Sequence, residues 1–230
     1  MFIELVGSLR CVRPHELTWL VASAYRMEER DIVSGELGCH VCGARYPVEQ
    51  GVADFRELGS ARSASPERAP GPRPPQAPAQ ATDPAELALR VAALLDLASP
   101  GGLVVLAGEW SAAAPPLASG DLIERVNLLV LDPVTDLDSG GGISVALTGR
   151  RMPLRPAAAR GVALDESHSD GDYVASAAEA LRPGARLLAP VAAPLPPGLA
   201  ELTRDDRFWL ASKGAVLQPM KLRVRGEGEQ

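Results

Sequence analysis

"LGCHVCGARYPVEQGVADF", residues Leu37–Phe55, sets two cysteines at knuckle spacing, a glycine directly after them and a Tyr-Pro step just beyond. A Cys-x-x-Cys turn lets both sulfurs converge on one ion, and Gly43 permits the tight backbone. Two thiolates make half of a tetrahedral site, so the other ligands must come from elsewhere. The chain holds 3 cysteines. The third, Cys11, opens "CVRPH", which also supplies His15. The expected set is therefore Cys11, His15, Cys39 and Cys42. Zinc accepts mixed sulfur and nitrogen ligands in a tetrahedron, and four protein ligands leave no open position, so the ion would be structural. His40 is a rival ligand, but a residue inside the knuckle points away from the ion. The competing reading is a bare dithiol with Cys11 as a buried small hydrophobe and His15 on the surface. A thioredoxin-like redox pair lacks the surrounding βαβ pattern.

Between the half-sites, "TWLVASAYRM" alternates Trp19, Val21, Ser23 and Tyr25 on one side, as a strand does. "MEERD" makes a turn, and "IVSGELG" returns the chain to Cys39. A hairpin delivering the second knuckle is the geometry of a zinc ribbon; a helix from Glu16 to Glu29 is the alternative. So little apolar bulk needs a staple, which the metal would provide.

Composition bounds the rest. The chain has 230 residues, 46% hydrophobic and 4% aromatic, so Leu, Val and Ala must build the core. A net charge of -6 and the lack of any basic run argue against direct nucleic-acid contact. No apolar stretch approaches the roughly 20 residues that span a bilayer, and the N-terminus lacks the pattern of a secretory signal. An odd cysteine count argues against a secreted disulfide framework. A cytoplasmic location with reduced thiols is the expectation.

The composition shifts after Leu58. Residues 59–82 are rich in Pro, Ala, Ser, Gly and Arg and nearly free of large apolar side chains. Such a segment cannot offset its ordering entropy and reads as a tether. It separates a module over 1–58 from a larger domain over 83–222, with a polar tail at 223–230. In the larger domain, Asp83 caps a helix that Pro84 begins and Pro100-Gly101-Gly102 ends. Buried strands are read in "LVVLAG", "LLVLDP", "GGGISVALTG" and around Gly161–Leu164, with a helix in "GDLIERVN". A helix over Val174–Leu181 breaks at Pro183-Gly184, a strand follows over Ala185–Val191, and the final part suggests further strands. Helices alternating with continuous apolar strands predict a doubly wound α/β fold, a parallel sheet covered on both faces.

"LRC" followed by "GELGCHVCGARYPVEQGVADF" resembles the small zinc-ribbon family that activates methyltransferases as an obligate partner. The resemblance covers about a quarter of the chain. It rests on Cys39, Cys42, Tyr46-Pro47 and Glu49-Gln50-Gly51-Val52, and departs in having His15 for a cysteine and a longer hairpin. It implies a protein partner, with a methyltransferase as the candidate. The larger domain resembles the class I S-adenosylmethionine-dependent methyltransferase-like fold in "DLASPGGLVVLAGEWSA", "ISVALTGRRMPLRPAAARGVALDE" and "AAEALRPGARLLAPVAAPLPPG".

That resemblance implies a glycine-rich cofactor loop after the first strand, but "AGEWSAAAPP" keeps only Gly108. Trp110 is expected to crowd the pocket and Pro115-Pro116 to hinder the next helix. The adenine-contacting acid would stand near Thr148. Asp132 would hold ribose hydroxyls, though an Asp before Pro is also an ordinary turn residue. Gly108 and Asp132 are the cofactor-binding candidates if S-adenosylmethionine binds at all. "LDESHSDGDY" could bind a divalent ion or transfer protons through His168, yet such acid-rich runs more often cap the next helix in solvent. No catalytic residue is assigned. The expectation is a non-catalytic zinc protein with a degenerate methyltransferase-like domain, a pseudoenzyme acting through protein interaction. The rival is an active methyltransferase with an atypical cofactor loop.

Overall fold

The computed structural model describes residues 1–56, 83–120 and 125–214. The tether expected over 59–82, the tail over 223–230 and the middle of the helix read in "GDLIERVN" lie outside these residues, so the expected domain boundary does too.

Residues 20–39 form a hairpin rather than a helix. Strand β1 (Leu20–Glu28) pairs antiparallel with β2 (Asp31–Cys39). Gly35 faces an irregularity in this ladder, where a Cβ would lie 2.5 Å from the Ser23 carbonyl oxygen, so only glycine fits. β3 (Arg45–Glu49) adds to β2 and turns into β4 (Val52–Asp54). Gln50 and Gly51, at φ 51° and 79°, form the two-residue turn whose left-handed backbone matches strand twist.

Asp83 accepts a hydrogen bond from the Ala85 N–H and starts α1 (Pro84–Leu94). β5 (Leu103–Ala107) is followed by a 3₁₀ segment, Gly108–Ala113, and the short α2 (Ala114–Ala118). Pro115 and Pro116 sit in the first turn of α2, where a missing N–H costs nothing, so they begin the helix rather than hinder it. β6 (Asn127–Leu131), β7 (Ile143–Leu147) and β8 (Ala159–Ala163) come next. Then follow α3 (Gly171–Ala180), β9 (Leu181–Pro190), β10 (Leu199–Arg204) and β11 (Phe208–Lys213). The helix ends at Ala180, one residue before the expected bound, and β9 starts at once rather than after Pro183-Gly184. Leu181 is already extended and Pro183-Gly184 lie inside the strand; Arg182, the residue before the proline, is the one that the ring drives from helical to extended backbone.

All these strands form one sheet in the order β1-β2-β3-β4-β7-β6-β5-β8-β9-β11-β10. From β7 to β9 the order is that of a doubly wound α/β fold, strands three, two, one, four, five. The expected parallel sheet is therefore mixed: β4 to β9 run parallel and antiparallel ribbons flank both ends. β4 pairs with β7 through Val52–Val145, Ala53–Ala146 and Asp54–Leu147, and the Phe55 N–H donates to the Leu147 carbonyl at 2.8 Å.

Side chains alternate through the sheet. Val105, Ala107, Leu129 and Leu131 share one core with Met1, Leu37, Tyr46 and Phe55 of the N-terminal segment and Val174 of α3. Val104, Leu106, Leu128 and Val130 face α1 and α2 on the other side. Both faces are covered, as expected. Among the described residues no helix is long and apolar enough to cross a membrane.

Phe55 is fully buried and packs on Tyr46 with ring centroids 4.8 Å apart. Phe55→Ala is expected to lower unfolding free energy by about 3–5 kcal/mol. Urea denaturation followed by tryptophan fluorescence should show one transition moved to lower denaturant, since the residue serves both parts of a shared core.

Candidate metal centre and strand-end crevice

The knuckle is shaped by its backbone. The Cys39 N–H donates to Ala44 at 2.8 Å, the Gly43 N–H donates to Cys39 at 2.9 Å, and Gly43 takes φ 68°. β2 thus ends with Cys39 and Cys42 facing the segment that carries Cys11 and His15. The four ligand atoms all lie within 4.8 Å of one another. Cys11 Sγ is 3.7 Å from Cys42 Sγ, and His15 Nε2 is 3.4 Å from Cys39 Sγ. A zinc tetrahedron with 2.3 Å bonds to sulfur has edges of about 3.8 Å, so the donor set fits that ion.

The surrounding bonds favour ligation. His15 Nδ1 lies 2.6 Å from the Glu16 carbonyl. A proton held there leaves the Nε2 lone pair toward the sulfurs. The Tyr46 hydroxyl stands 3.0 Å from Cys11 Sγ and accepts from the Val12 N–H at 3.3 Å. Burial pushes the Cys11 thiol up to about 11, against the lowering effect of Tyr46 and the Arg13 N–H. Burial also acts on Cys42, but the Ala44 N–H and the neighbouring thiols outweigh it and lower that thiol. A divalent cation would supply the field that ionises the whole set. His40 points away, stacked 5.2 Å from Trp19.

The second site lies where ligands bind doubly wound sheets, at the carboxyl ends of the parallel strands. Asp132, ending β6 at φ 47°, does more than make a turn. Its Oδ1 accepts from the Thr148 N–H at 2.9 Å, its Oδ2 accepts from the Thr148 hydroxyl, and His168 Nε2 lies 3.1 Å from Oδ2. His168 Nδ1 is 2.6 Å from Asp165 Oδ1. The other Asp165 oxygen accepts from the Glu109 N–H at 3.0 Å, just after β5. One imidazole therefore ties β6 to the segments after β5 and β8. The Tyr173 hydroxyl completes the set 3.0 Å from Thr148 Oγ1.

Burial opposes the charge on His168, but hydrogen bonds to Asp132 and Asp165 overcome it and push the pKa up to about 9. Burial likewise works against Asp165, yet His168, Ser167 and the Glu109 N–H hold its carboxyl below the usual range. Burial raises Tyr173.

The expected cofactor residues are not brought into one open space. Asp132, Thr148, Arg150, His168 and Tyr173 line a cleft of about 420 Å³ that Gly108 does not reach. A Cβ on Gly108 would fall 1.8 Å from the Asp165 carboxylate, which fills the space beside the loop. Trp110 does not crowd the cleft. Its ring packs edge-on against Phe208 at 5.2 Å, and its Nε1 donates to the Leu164 carbonyl at 3.0 Å. The acid-rich run does cap, through Asp165 on Ser167 and Asp170 on Asp172. It is not a solvated loop throughout, because Asp165 and His168 are buried at 7% and 5% exposure. The local signal was the lone His among acids; the partner Asp132 sits far away in sequence.

No protein-family model matches this sequence, and no curated protein does. Solved structures give weak likenesses. One is the complex between the Haloferax volcanii Trm112 methyltransferase activator and a putative methyltransferase, at 12% identity, TM-score 0.40, covering 56% of this chain and 89% of that one. Another is a putative S-adenosyl-L-methionine-dependent methyltransferase from Methanococcus maripaludis, at 10% identity, TM-score 0.40, covering 60% and 87%. TrmN from Thermus thermophilus matches at 19% identity, TM-score 0.38, covering 56% and 48%.

His168 has an ordinary pKa of 6.5 in the unfolded chain and about 9 in the fold. Its pairing therefore stabilises fully below the first value and is lost as pH rises through the second. Unfolding free energy should fall across that window by on the order of 3 kcal/mol. Chemical denaturation at a series of pH values checks this, and His168→Gln should flatten the slope.

Proposed function

We propose that this chain is a non-catalytic zinc protein in which a ribbon is joined to a methyltransferase-like sheet and works as an interaction or regulatory partner. Cys11, His15, Cys39 and Cys42 hold one structural zinc ion. The 3.7 Å and 3.4 Å spacings and the Glu16 carbonyl on His15 support this. Zinc analysis of purified protein should return one equivalent per chain. Cys39→Ser should lose it, together with the hairpin's protease resistance. Protein without zinc, or a Cys39→Ser variant that keeps it, overturns the metal assignment.

The absence of methyl transfer is inferred chiefly from the Asp165 carboxylate against Gly108. A glycine in a cofactor loop serves by letting the ligand approach the backbone, and here that approach is taken by a buried, hydrogen-bonded acid. Asp132 is likewise engaged by Thr148 and His168. S-adenosylmethionine does not fit this arrangement of Gly108 and Asp132. The cleft beside Asp132 favours the second reading, an active methyltransferase whose atypical loop admits the cofactor. Calorimetry with S-adenosylmethionine on the zinc-loaded chain decides between them: no measurable heat is expected, and micromolar affinity would establish the second.

A protein partner belongs to the proposal, with a separate methyltransferase as the candidate. Because β4 already occupies the β7 edge, a partner must use another surface. Purification of the native chain with a defined methyltransferase bound stoichiometrically would support this.

A further inference from the structure

Three sulfurs meet in the metal centre, and they are not equivalent. Cys39 and Cys11 are buried, whereas Cys42 is half-buried and reaches solvent. The sulfur of Cys39 faces His15 Nε2 at 3.4 Å, and that of Cys42 faces Cys11 Sγ at 3.7 Å. A disulfide bond is about 2.05 Å long, so a further approach of about 1.7 Å would join Cys11 to Cys42. The turn that carries Cys42 has room to move. A Cβ added to Gly43 would meet nothing within 4 Å, and Val41 is exposed. An accessible cysteine poised beside a buried one is the arrangement of an attacked sulfur and its resolving partner.

We propose that Cys42 and Cys11 are a peroxide-oxidisable pair that closes to a disulfide and releases the ion held there, an inference that rests on the structural-zinc reading. Hydrogen peroxide is the oxidant. The Cys42 thiolate attacks one peroxide oxygen, the O–O bond breaks, hydroxide leaves and Cys42 becomes a sulfenic acid. The Cys11 thiolate then attacks the Cys42 sulfur, the S–O bond breaks and a second hydroxide leaves. Each sulfur gives up one electron, the peroxide takes both, and two protons from solvent turn the two hydroxides into water. Cys39 and His15 are left as two ligands of four, too few for a closed structural site. The new bond joins the Cys11 segment to the knuckle as the ion did, so the ribbon stays clasped in the oxidised state.

The test treats the zinc-loaded full chain with hydrogen peroxide beside a chromogenic zinc indicator, then alkylates it and digests it with trypsin without reduction. One equivalent of zinc should appear as two of the 3 thiols are lost, and dithiothreitol should return both thiols. The digest should contain residues 11–26 joined to residues 31–45, the fragments that carry Cys11 and the knuckle, with the alkyl label on Cys39. The hairpin's protease resistance should survive oxidation, whereas stripping zinc from the reduced chain with a chelator should lower it. A bridge inside residues 31–45, a sulfinic acid at Cys42 with no bridge, or zinc and all thiols retained overturns the proposal. The same digest of metal-free chain separates this pairing from the metal assignment. Protein that carries no zinc as purified yet forms the Cys11–Cys42 bridge removes the ion and upholds the pair.

Discussion

Three residue pairs hold this architecture together: Val52–Val145, Ala53–Ala146 and Asp54–Leu147, the parallel ladder that joins β4 to β7. An open strand edge invites pairing with other chains, and a doubly wound sheet ending at β7 would have such an edge. The ribbon covers it from within the same chain. A second line of contact runs alongside: Leu9 bridges Leu154, the Arg155 N–H donates to Ser8, and its Nε donates to Gly7. The ribbon is thereby held at both its start and its end.

The ladder and the Cys3His cluster are coupled through one side chain. Tyr46 touches Cys11 Sγ with its hydroxyl, and its ring packs on Phe55, the residue that extends the β4–β7 bonding. The cluster fixes Cys11 and the knuckle, the knuckle sets the start of β3, and β3 turns into β4. A small ribbon gains little from its own apolar burial. Here its inward residues, Leu37, Tyr46, Val48 and Phe55, belong to the same core as Val105 and Leu129, so the larger sheet supplies the burial the ribbon lacks.

Legibility followed the range of the interaction. Cys39, Cys42 and Gly43 could be read because a knuckle is a local geometric requirement, and Cys11 with His15 because the ligand count was otherwise unfinished. Strands β5 and β6 could be read from unbroken apolar runs, and the start of α1 from Asp83 and Pro84. The β4–β7 pairing could not, since three residues with ordinary strand patterning do not state which edge they meet. Nor could the burial of His168. A stretch with five ionisable groups in eight residues, Asp165 to Asp172, looks solvated until Asp132 is brought beneath it. Pro183-Gly184 was read as a break because the dipeptide usually is one, but the register shift between Ala159 and Gly161 lets β9 accommodate it.

The crevice is held in shape by its own residues. Asp132 makes three polar contacts, two with Thr148 and one with His168, and its side chain keeps 29% exposure where it lines the cleft. Moving His168 would strip Asp165, a buried acid that also holds the Glu109 N–H and the 3₁₀ turn after β8. Breaking a buried charge pair by removing one partner costs about 3–5 kcal/mol, because the other charge stays buried and unpaired. A ligand in the cleft would meet Asp132, Thr148, His168 and Tyr173 of the network together with Arg150. It would stand away from Gly108, which does not line that cleft.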